Sequence, residues 1–101
     1  MSVERALKAV AEPRRQAILR LLNTDGSLTP TELGEKLQIT QQAASLHLRT
    51  LLDAGLVEAK REGVRHLYAV RPEGFRVVEA FLQEFWTDQL SALKRESENN
   101  G

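Results

Sequence analysis

The sequence predicts a mainly α-helical domain with one small β-hairpin placed late in the chain. Three observations predict it. Apolar residues recur at three- and four-residue intervals through most of the 101 residues. Helix starts and stops are marked at Pro13, Thr29-Pro30-Thr31-Glu32, Thr40 and Gly55. Two short strand-like runs flank a glycine-containing tip at Gly63.

Taken in order, Val3, Ala6, Leu7 and Val10 stand at i, i+3, i+4 and i+7, a one-sided helix over Val3 to Ala11. Pro13 interrupts it, because proline disfavours the helical conformation of Glu12 before it. Proline also suits the first position of a new helix, which runs to about Asn23 with Ala17, Ile18, Leu21 and Leu22 inward. Thr24 to Ser27 is a turn. Thr29 then caps a short helix with Pro30 at its first position and Glu32 completing a capping box. Leu33 and Leu37 share a face, and the helix ends near Leu37. Three residues on, Thr40 caps a longer helix with Ala44, Leu48 and Leu51 inward and Gly55 as its stop. Leu56 to Lys60 and His66 to Val70 read as strands joined by Arg61 to Arg65. Pro72 opens a last helix reaching toward Glu98, and Asn99 to Gly101 should fray. There is no internal repeat, low-complexity tract or long linker, so residues 1–101 are read as one domain.

Composition excludes several functions. Apolar residues make up 42% and charged residues 28%, as in soluble globular proteins. The absence of cysteine rules out a disulfide scaffold, a thiolate zinc site, a thiol redox sensor and a cysteine nucleophile. No apolar run is long enough to span a bilayer. The N-terminal MSVERALKAV lacks a basic segment followed by a long apolar stretch, so a cytoplasmic location is expected. Neither a glycine-rich phosphate loop, a metal-binding helix nor a nucleophile elbow is present. Ser45 and His47 are two apart on a helix, so they point roughly 200° away from each other and form no nucleophile–base pair. An enzyme is therefore not expected, nor is a cofactor.

Fourteen Lys+Arg balance fourteen Asp+Glu, which by itself argues against a nucleic-acid partner. The balance is a sum over segregated segments. Residues 60–71 hold four bases and one acid, whereas residues 72–101 hold three bases and six acids. One short stretch is strongly basic and the C-terminal part acidic.

Pro30 to Ala54 has the proportions of a helix-turn-helix, and the hairpin directly after it makes a winged helix. In that arrangement the second helix enters the major groove, about 12 Å wide, while the hairpin tip reaches the flanking backbone or minor groove. The outer face of the second helix carries Gln41, Gln42, Ser45, Leu46 and Arg49 as candidate base contacts. Gln pairs with adenine N6 and N7, and Arg with guanine O6 and N7. Thr40 at the helix start, with Lys60, Arg61, Arg65 and His66 on the hairpin, are the candidate backbone or minor-groove contacts. The competing reading is a solvated helix face on an interaction module that binds a protein and no DNA. Zero net charge and Leu46 on the presumed reading face speak for it, while the basic hairpin speaks against it.

These residues resemble the ArsR/SmtB family of small winged-helix repressors over nearly the whole chain. The matching stretches are AEPRRQAILRLL at 11–22, LTPTELGEKLQITQQAASLHLRTLLDAGLVEAKREGVRHLYAV at 28–70 and the helix to about Lys94. Ala11, Pro13, Arg15, Ile18 and Leu19 match the family's second helix. Ser45, His47, Leu48, Leu51, Ala54, Gly55, Leu56 and Val57 match its recognition-helix signature, and Gly63, Arg65 and Tyr68 its wing. The resemblance implies a homodimeric repressor of double-stranded DNA whose promoter affinity responds to a signal. Two positions depart from the pattern. Leu46 replaces a polar or basic residue, and either touches a thymine methyl or turns into the core. Gly34 replaces a common alanine, at a cost of about 1 kcal/mol in helix propensity, and should let the neighbouring helix pack closer.

Many relatives bind metal through cysteines near the positions of Thr29 and Thr31, and others through Asp and His on the last helix. Threonine cannot replace a thiolate, and the only histidines are His47 and His66. No metal is expected, and the effector is unnamed. Glu84 and Asp88, four apart, fit a solvated face better than a cation site.

Phe75, Val77, Val78, Phe81, Leu82, Phe85, Trp86, Leu90 and Leu93 cover roughly 220° of the last helix, about twice what one small core needs. Burial in the chain's own core accommodates part of this. The surplus predicts a homodimer through the N- and C-terminal helices, with Val3, Leu7, Phe81, Phe85, Trp86, Leu90 and Leu93 at the contact. A two-fold dimer would read an inverted repeat with half-site centres about one helical turn apart.

Overall fold

Proline divides the N-terminal helical stretch where the sequence places the break. In the computed structural model, which describes residues 2–86, α1 spans Val3–Val10 and α2 spans Pro13–Asp25. Pro13 opens α2, and the Glu12 carboxylate caps it by accepting the Arg15 amide at 2.9 Å. Helix α2 continues two residues beyond Asn23 and stops at Gly26, whose φ of +83° no other residue type adopts readily.

Helix α3, Pro30–Leu37, carries the expected capping box. The Thr29 amide donates to Glu32 Oε1 at 2.9 Å, and the Glu32 amide donates to Thr29 Oγ1 at 3.2 Å. Its C-terminus is closed by Gln38 in the left-handed conformation (φ +58°), and the Ile39 amide folds back onto the Gly34 carbonyl at 3.0 Å. Gly34 is buried against this turn. A Cβ there would lie 2.9 Å from the Ile39 carbonyl oxygen, so the glycine permits the tight step from α3 to α4.

Helix α4, Gln41–Asp53, starts at Thr40, whose hydroxyl accepts the Ala43 amide. It ends in a Schellman motif: the Leu56 amide reaches the Leu51 carbonyl, and the Gly55 amide the Leu52 carbonyl, both at 3.0 Å. Leu51 and Leu56 are both fully buried beside this motif.

Strands β1 (Val57–Glu62) and β2 (Arg65–Val70) pair antiparallel in the register Val57–Val70 through Glu62–Arg65. The hairpin is longer than the sequence suggests. Its loop is only Gly63-Val64, with positive φ at Gly63 alone, the sign pattern of a type II′ turn. Leu28 exchanges two backbone hydrogen bonds with Tyr68, at 3.0 and 2.9 Å, pinning the base of the wing to the chain before α3.

The last helix differs at its start. Pro72–Phe75 forms a 3-10 turn, and α5 follows at residues 76–86. Within this turn Gly74 is buried so tightly against the Gly55 backbone that a Cβ would overlap the Gly55 carbonyl. The described residues thus form five α-helices and one two-stranded sheet. Ile18, Leu33, Leu48, Leu51, Leu56 and Val57 form a fully buried centre drawn from α2, α3, α4 and β1. Phe75, Val77 and Val78 lean on it, whereas Leu82, Phe85 and Trp86 farther along α5 are exposed. No helix among the described residues is long and apolar enough to cross a membrane.

Candidate nucleic-acid interface

Helix α4 buries Ala44, Leu48 and Leu51, and that stripe fixes what its other side presents. Gln41, Gln42, Ser45, Leu46 and Arg49, the five expected base contacts, are all exposed and line one shallow depression of about 440 Å³. The two alternatives for Leu46 are thereby resolved. At 70% exposed it lies on the outer face, not in the core. Arg49 is 74% exposed and rests against Asp53, Nε to Oδ1 3.5 Å, one turn along the same helix. Such an exposed pair is weak and readily exchanged for another anion.

The start of α4 is partly used by the fold. Thr40 gives its hydroxyl oxygen to the Ala43 amide and its carbonyl to the Ala44 amide. The amides of Gln41 and Gln42 have no partner among the described residues, so the first turn retains donors for an anion.

Beside the depression a second cleft, about 570 Å³, runs between α3, α4 and the wing. Thr29, Pro30 and Thr31 form one wall, Gln41 and Ser45 the floor, and Val64, Arg65, His66 and Tyr68 the other wall. Of the expected backbone contacts, Arg65 and His66 therefore join the α4 face directly. Lys60 and Arg61 are exposed on β1 but do not line this cleft. They are consecutive strand residues, so their side chains leave opposite faces of the hairpin. Arg61 Nε donates to the Gly63 carbonyl at 3.2 Å and stays close to the tip. Arg71 lies at the far end of β2, its Nε 3.9 Å from Glu73 Oε2. The basic stretch at 60–71 is therefore spread along the hairpin and does not form one patch.

Arg65 is held by α3: its Nη2 lies 3.3 Å from Glu32 Oε1. Glu32 has its carboxyl pKa held below the usual carboxylate value, chiefly by the Thr29 amide and then the Thr29 side chain; burial opposes them, and the nearby Arg65 adds a smaller lowering.

His47 faces inward, toward the junction of α1 and α2. Its Nδ1 is 3.5 Å from Arg15 Nη1 and 4.0 Å from Glu12 Oε2. Burial raises the Glu12 carboxyl, but the Arg15 amide, the neighbouring His47, the Arg14 amide and the Arg15 charge together outweigh it and leave the pKa lowered. Arg15 also donates from Nε to the Ala9 carbonyl at 2.7 Å and from Nη2 to the Lys8 carbonyl at 3.3 Å. One guanidinium thus ties the end of α1 to the inner side of α4. His47 thus packs on the inner side of α4.

The exposure of Val64 and the contacts of Arg15 were not read from the sequence. Val64 sits at the wing tip and is 91% exposed. An apolar residue between Gly63 and Arg65 in a polar turn was the available signal. Arg15 gave no local signal, because its partners lie on other helices.

The dimer candidates divide into two groups. Val3 and Leu7 on α1 and Phe81 on α5 are half-buried, while Phe85 and Trp86 are 64% and 39% exposed. Phe81 and Phe85 meet edge to face with centroids 5.1 Å apart. Leu90 and Leu93 lie outside the described residues, as does Asp88. Among the described residues, no group of three or more acidic or histidine side chains is placed to hold a metal ion.

A helix-turn-helix domain family matches residues 10–59, from the end of α1 through α4 into β1. The HTH-type transcriptional regulator Rv2034 of Mycobacterium tuberculosis is 33% identical over 100 residues, covering 99% of this chain and 92% of that protein. Among solved structures, a possible transcriptional regulator for arsenical resistance superposes with a TM-score of 0.71 at 34% identity, covering 89% of this chain and 93% of the other. The homodimeric winged helix-turn-helix domain of Mb0332 from Mycobacterium bovis, a possible ArsR-family regulator, does so with a TM-score of 0.67 at 33% identity, covering 82% and 80%. With a helix-turn-helix followed directly by a two-stranded wing, the chain belongs to the ArsR family of winged helix-turn-helix transcriptional regulators.

Proposed function

We propose that this ArsR-family regulator binds double-stranded DNA as a homodimer and represses from an inverted-repeat operator. Gln41, Gln42, Ser45 and Arg49 read base edges, and Leu46 packs on a thymine methyl. Arg65 and His66 contact phosphate or the minor groove from the wing. Lys60 and Arg61 add longer-range attraction, and Thr40 presents the first turn of α4 to the backbone. The observation that carries this reading is the grouping of five exposed side chains on α4 beside a wing cleft that contains Arg65 and His66.

Residues 1–101 act as one winged-helix unit, with α1 and α5 supplying the contact between protomers. Support comes from the exposed Phe85 and Trp86 on α5, large aromatic side chains of the kind a protein contact covers. The homodimeric M. bovis relative agrees with it. The protein is not an enzyme and works in the cytoplasm, where its DNA is. Its signal is not read by a thiolate, since the chain has no cysteine.

Binding to random duplex across a salt series tests the proposal. Counterion release predicts log K falling steeply with log salt, by about 0.9 per phosphate neutralised. An interaction module with no DNA role would show little binding at any salt concentration.

A further inference from the structure

Arg65 begins β2 immediately after the two-residue tip, and its guanidinium turns back to α3. The oxygen it meets, Glu32 Oε1, is the same atom that accepts the Thr29 amide at 2.9 Å. The cap of α3 therefore fixes the carboxylate whether or not the wing is present. The base of the wing is fixed separately, by the Leu28–Tyr68 backbone pair. Arg65 and Glu32 are 55% and 39% exposed, so water and salt already weaken their attraction. A phosphate arriving in the cleft beside Thr31, Ser45 and His66 would meet a guanidinium already engaged, next to a negative charge of its own sign.

We propose that Glu32 is a positioning residue that competes with DNA phosphate for Arg65, and so lowers the affinity of the wing for arbitrary duplex. This rests on the reading that α4 and the wing form the DNA face. In the free protein Arg65 is docked on Glu32. On random duplex it stays there for much of the time, and its phosphate contact is withheld.

The test is a double-mutant cycle of Glu32→Gln and Arg65→Ala on random duplex, read as affinity against salt. Glutamine serves the capping box as glutamate does, so Glu32→Gln keeps α3 closed while removing the charge. A cooperative unfolding transition with only a small loss in thermal midpoint, the part due to the carboxylate charge, confirms that the cap still closes. Glu32→Gln is expected to bind random duplex more tightly, with the log–log salt slope steeper by up to about 0.9 for each Arg65 released to a phosphate. In the Arg65→Ala background the same substitution should leave the slope unchanged. An equal gain with and without Arg65 overturns the competition, since Glu32 would then act only as a charge repelling DNA. Unchanged or weaker binding by Glu32→Gln overturns it too. Wild-type protein that binds no duplex at all overturns the DNA reading along with it, whereas wild-type binding with no response to Glu32→Gln removes only the competition.

Discussion

Gly34→Ala sets two effects of similar size against each other, and the structure decides between them. Alanine in mid-helix gains about 1 kcal/mol over glycine, so propensity alone predicts a more stable α3. At Gly34, however, the added Cβ would stand 2.9 Å from the Ile39 carbonyl oxygen and 3.5 Å from the Gln41 amide nitrogen. Both are backbone atoms of the turn that launches α4. No flexible side chain is available to move aside, and the turn is already bonded to Gly34 through the Ile39 amide. Forcing packed atoms apart costs about 1–3 kcal/mol, and a constrained backbone belongs toward the upper end. The net expectation is a loss of about 1 kcal/mol, or a thermal midpoint lower by about 4–8 °C for a domain this size. Thermal unfolding followed by circular dichroism reads this directly. Because the displaced turn carries α4, affinity for a selected DNA site should fall as well. A midpoint raised by several degrees would show that the turn relaxes freely, and would refute the claim that Gly34 sets the spacing of α3 and α4.

Further substitutions test other parts of the account. Arg49→Ala should relax sequence preference at one position of the site, at a cost of about 1–3 kcal/mol if the contact to guanine is bidentate, measured by competition with variant duplexes. Replacing Phe85 and Trp86 together with serine should shift sedimentation toward monomer and abolish tight operator binding. The fold should survive, since both side chains are exposed within the chain. Acid should loosen the α3 cap and its neighbour. Glu32 and Asp25 both have lowered carboxyl pKa values, Glu32 chiefly from the Thr29 amide and Asp25 chiefly from Lys36. A depressed folded-state pKa stabilises above the ordinary carboxylate range, and that contribution disappears as pH falls through the folded value. The midpoint should therefore decline in this acid range, and Glu32→Gln combined with Asp25→Asn should decline less steeply.

What was legible in the sequence is what local chemistry controls. Thr29, Pro30 and Glu32 announce the start of α3 because the capping bonds join residues three apart. Gly55 announces the end of α4 for the same reason. The base-contact face could be read because the alternative face, Ala44, Leu48 and Leu51, is plainly apolar. Leu46 was ambiguous only because its chemistry opposed its position. Other features depend on contacts across the chain, which local periodicity does not register. Arg65 meets Glu32 from 33 positions away, and Arg15 meets His47 from 32. Gly74 packs against the Gly55 backbone from 19 positions away, where the last helix begins as a 3-10 turn. How the basic segment spreads along the hairpin was not legible from its charge count for a related reason, since a count ignores the alternation of faces in a strand.

The central claim is that α4 and the wing of a two-fold dimer read DNA. Selection of bound sequences from a random duplex pool tests it most directly. The account predicts enrichment of an imperfect inverted repeat with half-site centres about 10–10.5 base pairs apart, and loss of preference at defined positions when Arg49 is replaced by alanine. A pool that emerges without any enriched sequence, from a protein whose duplex binding is weak and insensitive to salt, would contradict it.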